Sequence, residues 1–268
     1  ILNWRCVLNK YIIEEKLNDI VVLTLNRPEK RNALSPELAL ELSQTLNRIK
    51  TDESVKMIVI TGKGTAFCAG ADLAYLKKIS AFTDKENFED SKILADLFYE
   101  IYSLPKLTVA LLNGPALAGG FGLALCCDYI FAASEGVKVG FTEVRIGFIP
   151  AIVMNFLIRR IHLYSAYHLA VSGSIISAKE ASEIGIIQEI FPVDDLLDNT
   201  LNFFGKLLEQ NSFIAMIQTK NLFQDLLETP IKEGLELACR VNAHSRKTSD
   251  CQTGIQNFLD KKPLNWRT

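Results

Sequence analysis

The feature that most constrains the fold is a unit that occurs three times in the first half of the chain: an apolar strand, a turn or loop, and a helix. The strands are predicted at residues 20–26, 57–61 and 107–112, where Val, Ile and Leu dominate. A helix is predicted from Ser35, because serine is a good N-cap and Pro36 suits the first helical position. Repeated units of this kind wind a layered core, so we predict an α/β fold.

From about residue 151 onward the pattern becomes helical, with broad apolar faces. A helical tail of this size packs on its own body or on neighbouring subunits. We therefore divide the chain near residue 200, into a core at residues 1–200 and a C-terminal helical region at residues 201–268. The predicted helices cover residues 151–162, 164–172, 178–184, 193–210, 213–227, 230–246 and 249–260.

Charge and composition disfavour several function classes. The formal net charge is −2, whereas non-specific nucleic-acid binding needs clustered Lys and Arg. The six cysteines and three histidines show no metal-ligand spacing, so we expect no metal site and no disulfide framework. No apolar run reaches the roughly 20 residues that span a bilayer, and no signal peptide is visible, which predicts a cytoplasmic protein. Because the chain begins at Ile1 rather than Met, an organellar targeting segment ahead of it stays an alternative.

Three segments combine small residues with special demands on the backbone, and the first is residues 67–73 (FCAGADL). Small side chains at Ala69, Gly70 and Ala71 would let a ligand approach the main chain. The N–H of Ala71 could then point into a cleft at the start of a helix. A tight turn without any ligand would have the same sequence, so this segment alone leaves both interpretations open.

The second segment, residues 113–128 (NGPALAGGFGLALCCD), opens a helix near Gly119. The N-terminus of a helix presents unpaired N–H groups and a partial positive charge, which favours a developing oxyanion. Gly119 and Gly120 would let that backbone meet a substrate, although tight packing of a buried helix would explain them equally well. A phosphate-binding loop is disfavoured, because no Gly-Lys-Ser/Thr follows.

The third segment, residues 139–151, carries Glu143 in a mostly apolar stretch. Desolvation would raise the pKa of a carboxyl group there, which suits a general base or acid near neutral pH. The alternative is a surface glutamate, or one paired with Arg145 or another cation.

Together these segments resemble the crotonase superfamily, also called the enoyl-CoA hydratase/isomerase family. The resemblance covers nearly the whole chain, and implies a crotonase-like spiral of β-β-α units with a C-terminal helical trimerisation region. The resemblance rests on five segments, which are, in chain order, residues 26–34 (NRPEKRNAL), 67–73, 113–120, the segment around Glu143, and 258–266 (FLDKKPLNW).

The resemblance also implies a site. The thioester oxygen of an acyl-CoA would lie between the backbone N–H groups of Ala71 and Gly119, beside Glu143 as the acid–base. No metal and no cofactor other than the coenzyme A of the substrate is implied, and related proteins form trimers, commonly paired into hexamers. The residues expected along the CoA moiety are Lys30, Arg31, Ala69, Asp72, Leu73 and, from the C-terminal helix, Lys261 or Lys262.

One departure from the family pattern bears on the reaction. Hydratases of this family use two glutamates, of which the second corresponds to Glu143, whereas the first falls at Gly122. Residues 151–154 (AIVM) also replace a glycine-rich stretch and predict a bulkier acyl pocket wall. A single glutamate slightly favours double-bond isomerisation of an enoyl-CoA over hydration by Glu143 alone. The pattern further predicts that Gly122→Glu raises hydration.

Two other classes of function are less favoured. A catalytically poor acyl-CoA-binding protein would have no need of Glu143 beside an intact oxyanion hole. A thioester hydrolase or decarboxylase of the same fold has no evident nucleophile, because Cys68 lacks an evident histidine partner.

Overall fold

The computed structural model describes residues 4–267, without the side chains of residues 4–6, 73 and 74. The chain divides into two compact units, Ile1–Leu197 and Asp198–Thr268. No linker separates them, because one helix, Leu196–Gln210, spans the division. Among the described residues, no helix combines the length and apolarity needed to cross a bilayer.

The first unit is built on a seven-stranded sheet of mixed direction. Its first three strands pair antiparallel, and the other four continue the sheet in parallel. A smaller three-stranded sheet contains a parallel pair, β6 with β8, and an antiparallel pair, β8 with β9. The strands are β1 (Trp4–Leu8), β2 (Ile12–Leu17), β3 (Ile20–Leu25), β4 (Met57–Gly62), β5 (Leu107–Leu112), β6 (Ala116–Leu117), β7 (Tyr129–Ala133), β8 (Lys138–Gly140), β9 (Ile175–Ser177) and β10 (Glu189–Phe191).

The helices follow the sequence signals closely at several ends. The Ser35 hydroxyl accepts a hydrogen bond from the Leu38 N–H at 3.3 Å and so caps the first helix as predicted. The helix Asp84–Tyr102 begins at a capping box formed by Thr83 and Glu86. The helices are α1 (Pro36–Lys50), α2 (Leu73–Ile79), α3 (Asp84–Tyr102), α4 (Gly119–Leu125), α5 (Ala151–Leu157), α6 (Leu163–Ser172), α7 (Ala178–Glu183), α8 (Leu196–Gln210), α9 (Phe213–Glu228), α10 (Ile231–Ser245) and α11 (Ser249–Leu259).

The three strands predicted from the apolar runs are confirmed as β3, β4 and β5. All six residues of β5 are buried, as expected for a strand covered on both faces. The predicted helices from residue 151 onward are confirmed, and two short strands that the sequence did not predict, β9 and β10, lie in the gaps between them. Each has only three residues, too few for a period of two to be distinguished from a helical period.

The second unit consists of the remainder of α8 together with α9, α10 and α11. The Ser212 hydroxyl caps α9 and also donates to the Asp250 carboxylate at the start of α11. The N–H of Trp266 donates to the Glu209 carbonyl at 2.9 Å, which fixes the C-terminal segment to α8. A role for this unit in trimer formation stays a prediction.

Candidate active site

The loops that follow β4 and β5 lie side by side in the first unit. Cys68 forms an isolated parallel bridge with Ala116. Its N–H donates to the Pro115 carbonyl at 3.2 Å, and its own carbonyl accepts from the Leu117 N–H at 3.0 Å. The structure therefore brings together the first two segments that the sequence singled out.

Two glycines are required where these loops touch. A Cβ atom on Gly120 would lie 2.2 Å from the Cys68 carbonyl oxygen, closer than real Cβ atoms come. Gly70 has a φ of +95°, and a Cβ there would lie 2.9 Å from the Leu117 carbonyl oxygen. The close approach of two backbones thus explains these glycines.

The backbone beside Gly70 directs the Ala71 N–H away from its neighbouring segment. Leu34 donates its N–H to the Gly70 carbonyl at 2.7 Å and accepts from the Asp72 N–H at 3.2 Å. Because Leu34 bonds the residues on both sides of Ala71, the Ala71 N–H faces the other way, as along an extended segment. Across the described part of the chain, this N–H donates no hydrogen bond.

Gly119 supplies a second such donor at the first position of α4. The preceding N–H, of Ala118, donates to the Gly140 carbonyl at 2.9 Å, and the helical ladder starts with the Gly122 N–H. The N–H of Gly119 lies between these two and finds no acceptor in the described residues. Ala118 has φ +50° and ψ −127°, a conformation that costs an alanine about 1–3 kcal/mol. The fold thus sustains strain where β6 turns into the helix.

The small sheet places Glu143 at the same edge as Gly119. β6 and β8 run parallel, with Leu117 opposite Gly140. Gly119 and Glu143 follow these paired residues by two and three positions. Since parallel strands end at one edge of a sheet, the third segment joins the other two there.

The Glu143 carboxyl group is half-buried, and its Oε2 atom is shielded from solvent and has no hydrogen-bond partner in the described part of the chain. Burial raises the pKa of Glu143 above its ordinary value, as predicted. The alternative of an ion pair with Arg145 is not supported, because no such pair occurs among the described residues and Arg145 is exposed beside Gly173. This carboxyl group is therefore available to exchange a proton with a bound molecule.

A partly buried cation lies at the opposite end of α4. Arg160 donates to the carbonyl oxygens of Leu125, at 3.1 Å, and Cys127. The last carbonyls of a helix carry partial negative charge, so this guanidinium neutralises the C-terminal end of the helix that begins at Gly119. Burial lowers the pKa of Arg160, yet arginine keeps its charge at neutral pH.

Among the described residues, the site combines two N–H donors that have no acceptor with one partly desolvated carboxyl group. The family model described as enoyl-CoA hydratase/isomerase matches residues 15–268. The chain belongs to this family. A Thermus thermophilus protein provisionally named an enoyl-CoA hydratase is 38% identical to it, covering 94% of this chain and 99% of the relative.

Two further members of the enoyl-CoA hydratase/isomerase family illustrate the similarity. The crotonyl-CoA hydratase of Syntrophomonas wolfei is 31% identical, covering 95% of this chain and 97% of the relative. The crystal structure of a provisionally assigned enoyl-CoA hydratase/isomerase (crotonase) from Legionella pneumophila superposes with a TM-score of 0.85 at 33% identity, covering 96% and 98% of the two chains. The fold is therefore that of crotonase.

The residues expected along CoA in this family member fall in both units. In the first unit, Ala69 donates its N–H to the Arg31 carbonyl at 3.0 Å, and Lys30 and Arg31 are exposed. Arg31 has a φ of +50°, so the turn carrying both cations is fixed by its backbone. Lys261 is exposed in the second unit. Contact of these residues with CoA stays a prediction.

Asp72 has a structural partner that the sequence did not reveal. Its carboxylate pairs with Arg27 at 3.0 Å, and the Arg27 guanidinium also donates to the Ala33 carbonyl at 2.8 Å. The pair ties the segment after β3 to the loop that carries Ala71. Arg27 and Asp72 are 45 positions apart, and no local pattern marks them as partners. The predicted contact of Leu73 falls on a side chain outside the described residues.

The position of the missing second glutamate is filled by a neighbouring helix. A Cβ atom on Gly122 would lie 2.1 Å from Val153 Cγ1 and 3.0 Å from Phe98 Cε2. Even an alanine does not fit at position 122 unless Val153 moves. The effect of Gly122→Glu on hydration stays a prediction.

Proposed function

We propose that the protein moves a proton at the carbon next to the thioester carbonyl of an enoyl-CoA, and that double-bond isomerisation is its reaction. The proposal is carried by the half-buried, unpaired carboxyl group of Glu143 together with an apolar filling at Gly122. In this reaction Glu143 takes a proton from C2 of a 3-enoyl-CoA and returns it to C4, which yields the 2-enoyl-CoA. One carboxyl group is sufficient for both steps.

The charge that forms during this transfer lies on the thioester oxygen. The N–H groups of Ala71 and Gly119 would stabilise it, and a single donor of this type contributes about 3–4 kcal/mol in other enzymes. Both donors belong to backbone held by the bonds around Leu34 and Ala118, so they need no rearrangement when charge develops. Coenzyme A is part of the substrate, and the proposal requires no other cofactor.

Hydration of a 2-enoyl-CoA is the second candidate. It is favoured by the relatives named as hydratases, including the crotonyl-CoA hydratase of Syntrophomonas wolfei. Glu143 would then activate water without a second carboxylate. A thioesterase is disfavoured, because burial raises the pKa of the Cys68 thiol to about 12 and keeps it protonated.

We also propose that the CoA moiety binds near Lys30 and Arg31, and that the chain assembles as a trimer or a pair of trimers. The assembly is supported by large apolar side chains exposed on the second unit, which a monomer would leave in contact with water. These side chains include Phe223, Ile231 and Phe258, which are 63%, 81% and 80% exposed. Light scattering after gel filtration measures the mass of the assembly.

Incubation of the protein with 3-hexenoyl-CoA and with crotonyl-CoA in deuterated water distinguishes the two candidates. Conversion of the 3-enoyl ester to the 2-enoyl ester, with no gain of water by mass spectrometry, supports isomerisation. A hydrated product from crotonyl-CoA instead supports the second candidate.

The Glu143→Gln variant tests the assignment of the acid–base. Turnover should fall at least about a hundredfold, the usual contribution of a positioned proton-transfer group, while CoA binding is retained. Glu135→Gln, which removes an exposed carboxylate, is the matched control and should be unchanged. An active Glu143→Gln enzyme would refute the proposal.

A further inference from the structure

We propose that Val153 determines reaction specificity by excluding water and polar side chains from the space beside Gly122. The inference rests on the proposed function and deepens it, since it identifies what restricts Glu143 to proton transfer within the substrate. Val153 is a specificity-determining residue here, and it takes no part in the chemistry itself.

The first step of the argument is the position of this space. Gly119 and Gly122 are three residues apart on α4, a rise of about 4.5 Å. A Cβ atom on Gly119 would lie 3.2 Å from Leu34 Cδ1, whereas one on Gly122 would meet Val153 and Phe98. The space beside Gly122 thus lies one helical turn from the proposed oxyanion donor.

The second step is that hydrocarbon side chains occupy the position where a side chain on residue 122 would begin. Val153 is 4% exposed and Phe98 is fully buried. The Phe98 ring packs edge-to-face on Phe156, with centroids 6.1 Å apart. A buried water needs two to four polar partners, and the side-chain atoms nearest to a Cβ on Gly122 are all hydrocarbon. Neither water nor a polar side chain has a favourable position there.

The third step is that Val153 does not easily move away. A β-branched side chain within a helix has one strongly preferred rotamer. Val153 lies in α5. Leu157, at the C-terminal end of the same helix, is also buried, so the helix is held at both positions. The 2.1 Å separation between a Gly122 Cβ and Val153 Cγ1 must therefore be relieved by changing residue 153.

The test uses four variants of the full chain: Gly122→Glu, Val153→Ala, the double variant Gly122→Glu/Val153→Gly, and Val22→Ala. The last removes the same two methyl groups from a buried valine on β3, which is 2% exposed. Each is assayed with crotonyl-CoA and 3-hexenoyl-CoA in ¹⁸O-labelled water, and the ratio of hydrated to isomerised product is measured. Thermal unfolding and CoA binding are measured in parallel.

We expect Gly122→Glu to be strongly destabilised and the double variant to regain a cooperative unfolding transition. The product ratio of the double variant should rise about a hundredfold over the parent, the contribution of one added acid–base group. Val153→Ala and Val22→Ala should both leave the ratio unchanged, because neither supplies a polar partner for water beside Gly122.

Two results would overturn the inference. One is a Gly122→Glu variant as stable as the parent, because Val153 would then not block the position. The other is a folded, CoA-binding double variant with an unchanged ratio. Failure of the proposed function is a separate result, namely a parent protein without isomerisation. Even then, hydration gained by the double variant would support the role of Val153.

Discussion

Replacing Asp72 by alanine is expected to destabilise the protein, because it leaves the Arg27 guanidinium buried without its carboxylate. The two side chains are 14% and 11% exposed, so solvent screening of this pair is slight. Breaking a buried ion pair by removing one partner costs about 3–5 kcal/mol. Arg27 keeps its bond to the Ala33 carbonyl at 2.8 Å, which places the expected loss near the lower end, at about 3 kcal/mol.

Urea unfolding followed by circular dichroism measures this loss. A loss of about 3 kcal/mol corresponds to a fall of roughly 6–12 °C in the melting midpoint for a chain of this size. Asp96→Ala is the control, since its partner Lys92 is exposed and the pair contributes about 0.5 kcal/mol or less.

The same variant should affect turnover more than substrate binding. Asp72 directly follows Ala71, whose N–H is the proposed oxyanion donor, so a loosened loop weakens stabilisation of the transition state. At a temperature where the variant is folded, kcat should fall by a larger factor than the factor by which KM rises through a lost contact of Asp72 with CoA. An Asp72→Ala protein as stable as Asp96→Ala, with normal kcat, would refute the reasoning.

Two further perturbations concern other parts of the site. Gly120→Ala should cost about 1–3 kcal/mol or more through its contact with Cys68, whereas Gly254→Ala, in an exposed helix with ordinary contacts, should stabilise by about 0.5–1 kcal/mol. Chemical denaturation measures both, and a tolerated Gly120→Ala would contradict the proposed backbone contact. Burial raises the pKa of Glu143 above 4.5, so the folded state holds that proton more tightly, and stability from this group falls as pH rises above 4.5. Glu143→Gln should therefore be more stable than the parent at pH 8, with a smaller difference at pH 4. Melting midpoints of the variant and the parent across this pH range measure the difference in stability. A difference that does not vary with pH would count against a raised pKa of Glu143.

Local signals predicted the parts of the fold that depend on local physics. The N-cap at Ser35, the helix start at Gly119 and the apolar strands β3, β4 and β5 are all readable from neighbouring residues. The sequence did not predict strand β2, because charged side chains obscure its alternation of buried and exposed residues. Glu14 is buried there only because Arg48 of α1 pairs with it, and that partner is 34 positions away.

The same limit applies to the site. The proposed donors and Glu143 were predicted from segments whose composition is itself unusual. The Arg27–Asp72 pair and the contact of Val153 with Gly122 involve ordinary residues that become significant only when the chain folds. A glycine at position 122 has no side chain of its own, and the sequence does not show that another residue occupies its space.

The contact between Gly122 and Val153 imposes an order on any mutational route to a second carboxylate. A glutamate at position 122 is unfavourable while valine occupies position 153, so residue 153 must become smaller first. That first step removes buried methyl groups, at about 0.8 kcal/mol each plus the cost of a cavity, and adds no acid–base group. A lineage would therefore cross a less stable intermediate without the second carboxylate, so the present chemistry resists change by single substitutions.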